Sequence, residues 1–321
     1  YRELRERYDI LTITRTPELC TRVTLMPVAE LGVDAAVMYA DIMLPLYGMG
    51  VPFIIDPGVG PVIQAPVRDS ADIDRLRIVD AHEATPDLFE AIRLVRAELG
   101  GRAAVLGFAG APFTVASYLI EGRPSRDFAR AKGLMLGRPD QWHRLMETLT
   151  EVTIRYLKAQ VEAGAQALQL FDSWAGALSS RDYVDSVLPY TRRIFQALQG
   201  TGVPSIHFAT NTTHLLEAMA SAGSDVVSVD WRSSIGEAWS RIGDVQGIQG
   251  NLDPVAACAP FAVAAGQARR ILAEAGGRPG HIFNLGHGVL PDTPPENLAR
   301  LVELVHAVNG AAAAPAGSSP A

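Results

Sequence analysis

The sequence predicts an α/β protein, a single-domain (β/α)8 TIM-type barrel with an irregular hairpin excursion. A repeated pattern is the first observation behind this prediction: a short apolar or β-branched run ends in a polar residue or glycine, and a longer segment with helical spacing follows. The second is the length of 321 residues, enough for one large domain or two modest ones. The 29 glycines and 21 prolines, which suit many short connections, are the third.

Seven runs fit a strand and seven intervening segments fit a helix. The predicted strands are Ala35–Tyr39, Ala103–Phe108, Ala167–Phe171, Ser205–Phe208, Val226–Val229, Val245–Gln249 and His281–Leu285. The predicted helices are Pro86–Leu99, Pro139–Ala163, Arg181–Gln199, Thr213–Ala222, Ile235–Ile242, Pro260–Ala275 and Pro295–Val308. Because strands and helices alternate, the pattern favours a parallel sheet wrapped by helices.

The rest of the sequence bears on the eighth strand of the barrel, the hairpin excursion and the two ends of the domain. An eighth strand is expected either upstream of Tyr1 or near Leu25. Residues 54–67 contain several prolines and are predicted to form the hairpin excursion. Because the chain opens on Tyr1 rather than methionine, we expect a catalytic barrel domain over residues 1–309 that lacks an upstream segment. Residues 310–321 consist only of Ala, Gly, Ser and Pro and are predicted to be a disordered tail.

An open doubly wound sheet is the main alternative fold. Such a sheet normally carries a glycine-rich phosphate loop after its first strand. The nearest match, Gly58-Val59-Gly60, lacks the third glycine and opens no helix. The pattern therefore favours the barrel.

Composition and charge argue against several classes of partner. The formal net charge is −7, so neither nucleic acid nor an anionic membrane is expected to bind, and an anionic ligand would need a local cluster of donors. Cys20 and Cys258 lie far apart, which suggests neither a disulfide framework nor a cysteine zinc site. With no signal-like or membrane-spanning segment in the sequence, we expect a cytoplasmic protein.

Side chains at the C-terminal ends of the strands are the candidates for function, since a βα barrel builds its site there. They are Asp41, the segment from Phe108 to Tyr118, Asp172, Ser173, His207, Asp230, Trp231, Asn251, Asp253 and His287. Asp41 follows an apolar run and precedes Ile42, Met43 and Leu44, so its ionisation is costly unless donors converge on it. The alternative for Asp41 is a cap of the next turn.

For other candidates a structural role competes with a functional one. His287 lies between two glycines and can either contact a ligand or bond within a tight loop. Ser173 lacks a nucleophile elbow, so a ligand hydrogen bond or a cap is favoured over nucleophilic attack. Tyr118 can reach the barrel mouth or pack among helices. Asp253 precedes Pro254 and can simply start a helix.

Six local strings are more specific than the periodicity. In chain order they are YADIM, GFAGAPFTVASYLIEG, GAQALQLFDSWAG, VDW, QGNLDP and NLGHGVLPDTPPENL. Together they closely resemble the uroporphyrinogen decarboxylase family of haem and porphyrin biosynthesis, from the first residues to about Val308. The resemblance implies a homodimeric carboxy-lyase that needs no cofactor or metal. It would convert the four acetate side chains of uroporphyrinogen III to methyl groups, giving coproporphyrinogen III.

The resemblance also implies roles for individual residues. Asp41 matches the catalytic aspartate that accepts the pyrrole N–H groups of the substrate. The substrate-contacting and cleft-wall positions match Tyr118, Ser173, His287, Phe108 and Phe171. One departure concerns a family stretch of the form RQAGRYLPE, whose arginines suit substrate carboxylates. It lies upstream of YREL in the family, whereas this sequence begins at that YREL.

Two alternative functions stay open at this point. Zinc-dependent corrinoid methyltransferases share the barrel, but they need a His-x-Cys where this sequence has His207, Phe208 and Ala209. A non-catalytic porphyrinogen-binding relative is the other alternative. Arginines upstream in the complete reading frame would distinguish it from the enzyme.

Overall fold

The computed structural model describes residues 1–56, 58–243 and 245–313. Its strands are β1 Ala35–Val37, β2 Phe53–Asp56, β3 Gly60–Ile63, β4 Ala104–Gly110, β5 Ala167–Phe171, β6 Ser205–Phe208, β7 Val226–Ser228, β8 Gly247–Leu252 and β9 His281–Leu285. Its helices are α1 Arg2–Arg7, α2 Ile10–Thr14, α3 Pro17–Leu31, α4 Pro45–Gly48, α5 Ser70–Asp74, α6 Ala81–Ala84, α7 Pro86–Leu99, α8 Pro112–Glu121, α9 Ala129–Gly137, α10 Pro139–Ala163, α11 Ser180–Ser186, α12 Leu188–Leu198, α13 Leu216–Ala220, α14 Ile235–Ile242, α15 Pro254–Cys258, α16 Phe261–Ala275 and α17 Pro295–Ala313. Short 3-10 turns occupy Ala175–Ala177 and Thr213–Leu215.

A seven-stranded parallel sheet forms the centre of the protein. Its strand order is β1-β4-β5-β6-β7-β8-β9, so each strand pairs with the next one of this sheet along the chain. This order, with helices between the strands, is that of a (β/α)8 fold, as predicted. In the part of the chain that the structure describes, β1 and β9 do not pair and no eighth barrel strand occurs.

The expectation of a strand near Leu25 was wrong. This residue lies in α3, whose first turn contains Pro17. The buried side chains Cys20, Val23 and Thr24 follow helical spacing, so they line one face of a helix and could not share one face of a strand.

All seven predicted strands are confirmed, with changes at their ends. The strand expected at Val245–Gln249 runs from Gly247 to Leu252, and Val245 is 98% exposed. The predicted helix Arg181–Gln199 divides into α11 and α12. Val187 departs from helical dihedral angles between them, and Pro189 in the first turn of α12 cannot continue a preceding helix.

The hairpin excursion is also confirmed. Strands β2 and β3 pair antiparallel, with Asp56 opposite Gly60. Asp56 Oδ1 accepts hydrogen bonds from the backbone N–H groups of Gly58 and Val59 at 2.8 and 3.0 Å, which holds the turn. Ile63 N donates to the carbonyl oxygen of Gly122 at 2.8 Å, so the hairpin is tied to the end of α8.

At the C-terminus, α17 extends to Ala313. Residues 310–313 of the predicted disordered tail are therefore helical, whereas 314–321 lie outside the described residues. The division into a barrel domain and a tail stays a prediction. No helix among the described residues combines the length and the apolar character needed to cross a bilayer.

Gln160 on α10 fixes the backbone of β4 at Phe108. Phe108 N donates to Gln160 Oε1 at 2.9 Å, and Gln160 Nε2 donates to the Phe108 carbonyl at 2.8 Å. Both hydrogen bonds are buried, so neither backbone group has water as a substitute partner.

Gln160→Met is expected to lower the free energy of unfolding by about 3 kcal/mol, because it leaves one buried donor and one buried acceptor of Phe108 unsatisfied. Urea denaturation would measure the change. Gln196→Met, on the exposed side of α12, is the matched control and should change stability by less than about 0.5 kcal/mol. Equal effects of the two substitutions would contradict the importance of these two bonds.

Candidate active site

Asp41 follows β1 at the C-terminal edge of the sheet. Its Oδ1 accepts a hydrogen bond from Met43 N at 2.8 Å, so the carboxylate caps the turn that leads into α4. Its other oxygen makes no hydrogen bond to any described residue. Burial raises the pKa of Asp41, and the Met43 hydrogen bond only partly opposes this. Capping and function are thus compatible, because each can use a different oxygen.

Tyrosine side chains lie around this carboxylate. Tyr118 on α8 is buried, and burial together with the nearby charge of Asp41 raises its pKa to about 12. Burial and Asp41 also raise the pKa values of Tyr47 and Tyr156, although Arg15 lowers that of Tyr47. Tyr118 and Asp41 therefore lie close enough for the charge of the carboxylate to affect the pKa of the phenol.

An aromatic row crosses the ends of four strands. Phe108 and Phe171 meet edge to face with ring centroids 5.2 Å apart, and Phe171 meets Phe208 in the same way at 5.1 Å. The ring of Phe208 lies 6.2 Å from that of His287. The row thus links three predicted site residues through a residue that sequence analysis did not select. Period-two alternation in β6 could have found Phe208, because it shares a face with Ile206.

His287 is exposed in the loop after β9. Its Nδ1 accepts a hydrogen bond from Gly288 N at 2.7 Å. In the neutral tautomer that this bond selects, Nε2 carries the proton and is a donor. The loop-bonded and ligand-facing interpretations of His287 are therefore both compatible with the geometry.

Ser173 lies partly exposed directly after Asp172. Its carbonyl oxygen accepts a hydrogen bond from Thr210 Oγ1 at 2.9 Å, whereas its own hydroxyl makes no hydrogen bond to a described residue. No histidine nitrogen in the described residues bonds to it, so the geometry agrees with a ligand contact better than with a nucleophile.

Close packing holds this loop in place. A Cβ atom on Gly176 would lie 2.3 Å from the carbonyl oxygen of Thr210 and 2.6 Å from that of Asn211. Only glycine permits this approach between the loops that follow β5 and β6. The Ser173 loop can therefore take this position only because glycine at 176 has no side chain.

The polar residues at and after the C-terminal ends of β7 and β8 make hydrogen bonds or ring contacts within the protein. Asp230 accepts hydrogen bonds from Asn211 N at 2.5 Å and from the Arg232 guanidinium at 2.5 Å. Asn251 Nδ2 donates to the carbonyl oxygens of Asp230 and Ser233 at 2.9 and 2.6 Å. The interpretation of Asp253 as a helix start is confirmed, because its side chain caps α15 by accepting from Val255 N. Trp231 stacks against Arg232.

Helix α1 lies beside the same edge and was not predicted as part of the site. Arg2 donates to the Pro291 carbonyl at 3.3 Å, in the segment after β9. Burial raises the pKa of Tyr39, two residues before Asp41, and the charge of Arg5 partly opposes this rise. Arg2 thus contacts the segment after β9, and this position follows from tertiary packing that a charged run in the sequence does not reveal.

Comparison with known proteins identifies the family of this chain. A family model described as uroporphyrinogen decarboxylase (URO-D) matches residues 1–308. The chain belongs to the uroporphyrinogen decarboxylase family. Uroporphyrinogen decarboxylase from Sorangium cellulosum (strain So ce56) is 53% identical over 308 residues, covering 96% of this chain and 88% of that protein. That from Carboxydothermus hydrogenoformans is 51% identical over 306 residues, covering 95% and 87%.

Solved structures support the fold of this uroporphyrinogen decarboxylase family member. A methyltransferase from Methanosarcina mazei has a TM-score of 0.80 at 21% identity, covering 92% of this chain and 86% of that one. A B12-independent methionine synthase from Shewanella sp. W3-18-1 has a TM-score of 0.61 at 10% identity, covering 92% and 88%. At these identities the likeness concerns the fold alone.

Proposed function

We propose that this chain is a carboxy-lyase that removes CO2 from the four acetate side chains of uroporphyrinogen III and gives coproporphyrinogen III. The observation that carries the proposal is Asp41, a carboxylate with one oxygen committed to a turn and the other unbonded, in a family whose named relatives are uroporphyrinogen decarboxylases. The row from Phe108 to His287 supplies an apolar wall for a macrocycle.

The chemistry needs an electron sink, which the substrate can supply. Protonation of a pyrrole ring carbon gives an iminium-like cation. The bond between the acetate methylene and its carboxylate carbon then breaks, CO2 leaves, and the electron pair forms an exocyclic methylene as the ring cation is neutralised. A second proton adds to that methylene to make the methyl group, and the ring carbon loses its added proton.

Asp41 has a defined role in these reaction steps. An ionised carboxylate accepts pyrrole N–H hydrogen bonds and stabilises the cation that develops on the ring. Its partial burial strengthens this interaction relative to water. Tyr118, Ser173 and His287 are proposed to contact the substrate, since each brings a hydrogen-bonding group to the same edge of the sheet. A homodimer in the cytoplasm is part of the same proposal, and sedimentation velocity would test the oligomeric state.

The test is an anaerobic assay of the protein from its complete reading frame on reduced uroporphyrinogen, with products oxidised and separated by carboxylate number. We expect seven- to four-carboxylate products, at a rate that a metal chelator does not change. Absence of these products, together with zinc-dependent methyl transfer from a methylcorrinoid, would favour the methyltransferase-like alternative. Binding of porphyrinogen without any product would favour the non-catalytic one.

A further inference from the structure

A group of buried polar side chains lies outside the site, between the sheet and helices α11 and α12. His207 alternates in β6 with Ile206 and Phe208, so its ring points away from the aromatic row. It packs against Phe195 on α12, with ring centroids 5.3 Å apart. His207 is fully buried, and its Nε2 lies 3.9 Å from Asp172 Oδ2, which is also fully buried.

Two further hydroxyl groups are buried on the neighbouring helices α11 and α12. Tyr183 on α11 is fully buried, and burial together with the nearby charge of Asp172 raises its pKa. Thr191 on α12 is also fully buried. Within the described residues, no hydrogen-bond partner of good geometry exists for Asp172 Oδ2, either ring nitrogen of His207, Tyr183 OH or Thr191 Oγ1.

Five unsatisfied buried polar atoms on neighbouring strands, loops and helices are unusual, because nearly all such atoms in folded proteins bond to protein or to ordered water. The 3.9 Å between His207 and Asp172 is too long for a direct hydrogen bond. A buried water needs two to four polar partners, and a carboxylate, an imidazole and a phenol provide donors and acceptors in suitable number.

The other carboxylate oxygen of Asp172 is directed toward the site. Asp172 Oδ1 accepts a hydrogen bond from Thr114 Oγ1 at 3.0 Å, and Thr114 Oγ1 accepts one from Trp174 N at 3.3 Å. The ring of Trp174 lies 6.0 Å from that of Tyr118. Asp172 therefore links the buried cluster to the loop of Ser173 and to the helix that carries Tyr118.

We propose that Asp172, His207 and Tyr183 form a buried water-binding site, and that this site makes Asp172 and His207 positioning residues for Ser173 and Trp174. The water satisfies Asp172 Oδ2 and a ring nitrogen of His207, and so holds the carboxylate in the orientation that keeps the Thr114 and Trp174 bonds. The part of this inference that concerns catalysis rests on the proposed function.

The water site is tested by a high-resolution crystal structure of the protein. We expect an ordered water within about 3.2 Å of both Asp172 Oδ2 and a His207 nitrogen. Tyr183→Phe, which removes one hydroxyl at nearly constant volume, should weaken or displace that water. A dry cluster in the wild type, or a direct hydrogen bond between His207 and Asp172, would overturn the proposal.

The positioning role is tested with His207→Leu. We expect kcat/KM to fall roughly 10- to 100-fold, largely through kcat, because small misplacements of binding groups have effects of this size. The indole N–H resonance of Trp174 should shift in the same variant, and His207→Gln should recover part of both changes. Thr150→Val is the matched control, since it also removes a fully buried polar group but one that bonds within α10.

These readouts separate the failure of one proposal from that of the other. If the wild type makes no product, the proposed function fails, while the water density and the Trp174 resonance still test the cluster. If His207→Leu and Thr150→Val behave alike in activity and in the indole spectrum, the positioning role is wrong. If His207→Leu does not fold, the same comparison is made with Tyr183→Phe, whose expected changes have the same direction.

Discussion

Asp41→Asn is expected to lower kcat by about 10²- to 10³-fold while keeping the fold. The substitution replaces a charge by a dipole where the proposed reaction develops a cation, and loss of one preorganised electrostatic contact has effects of this size. The amide oxygen can still accept the hydrogen bond from Met43 N, so the turn after β1 should persist. Steady-state kinetics on reduced uroporphyrinogen would measure the loss.

The same variant is expected to be more stable than the wild type at neutral pH. Burial raises the folded-state pKa of Asp41 above its ordinary value of 3.8, so folding favours the protonated form. That contribution is present below pH 3.8 and is lost as the pH rises through the folded pKa, which leaves an ionised carboxylate that opposes folding. The stability gain of Asp41→Asn should therefore be largest near pH 7 and shrink as the pH falls toward 3.8.

Asp253→Asn is the matched control for both measurements. Asp253 also follows a strand of the sheet, but its side chain caps α15, and asparagine caps a helix about as well as aspartate does. It should change neither turnover nor stability appreciably. Near-normal turnover of Asp41→Asn would refute the assigned role, and a loss of stability at pH 7 would refute the burial argument.

Gly176→Ala is expected to lower the free energy of unfolding by about 3 kcal/mol and to reduce turnover as well. The new methyl group would meet two backbone oxygens, at 2.3 and 2.6 Å, and backbone cannot move aside as a flexible side chain does. The loops of Ser173 and Thr210 would have to separate, which removes the hydrogen bond from Thr210 Oγ1 to the Ser173 carbonyl. Chemical denaturation and kcat/KM are the two measurements.

Gly266→Ala provides the comparison for this substitution. Gly266 lies within α16, and a Cβ atom there would meet nothing within 4 Å. Alanine should stabilise the helix by about 0.5–1 kcal/mol. If Gly176→Ala were as harmless as Gly266→Ala, the close approach of the two loops would not be important for the site.

Local patterns in the sequence were sufficient for the seven strands of the sheet and for one main helix after each, whereas α1 to α6, α8, α9 and α15 were not predicted. Apolar runs such as Ala167–Phe171 fit only a buried strand, and the long amphipathic segment Pro139–Ala163 fits only a helix, so both match the structure residue for residue. Errors occurred where periodicity was weak or short. Near Leu25, Pro27 inside the helix obscured the helical pattern, because proline normally marks a helix end.

Two signals in the sequence predict site residues: the positions of strand ends and the resemblance to a family. Both mark Asp41 and Ser173, since these residues follow a strand. Neither reveals Gln160 bonding to Phe108 from 52 residues away, nor Thr114 linking Asp172 to Trp174. Such contacts depend on which helix face packs on which strand, and a single sequence carries no local signal for that.

The tyrosines around Asp41 have a further consequence for proton exchange at the site. With the pKa of Tyr118 raised to about 12, and those of Tyr47 and Tyr156 raised as well, these phenols stay neutral over the physiological range. They cannot buffer the cleft or add a second negative charge beside the carboxylate. Within this group of four side chains, Asp41 is therefore the one that can carry a negative charge in this range, and a cationic reaction intermediate next to it would be held by a single carboxylate.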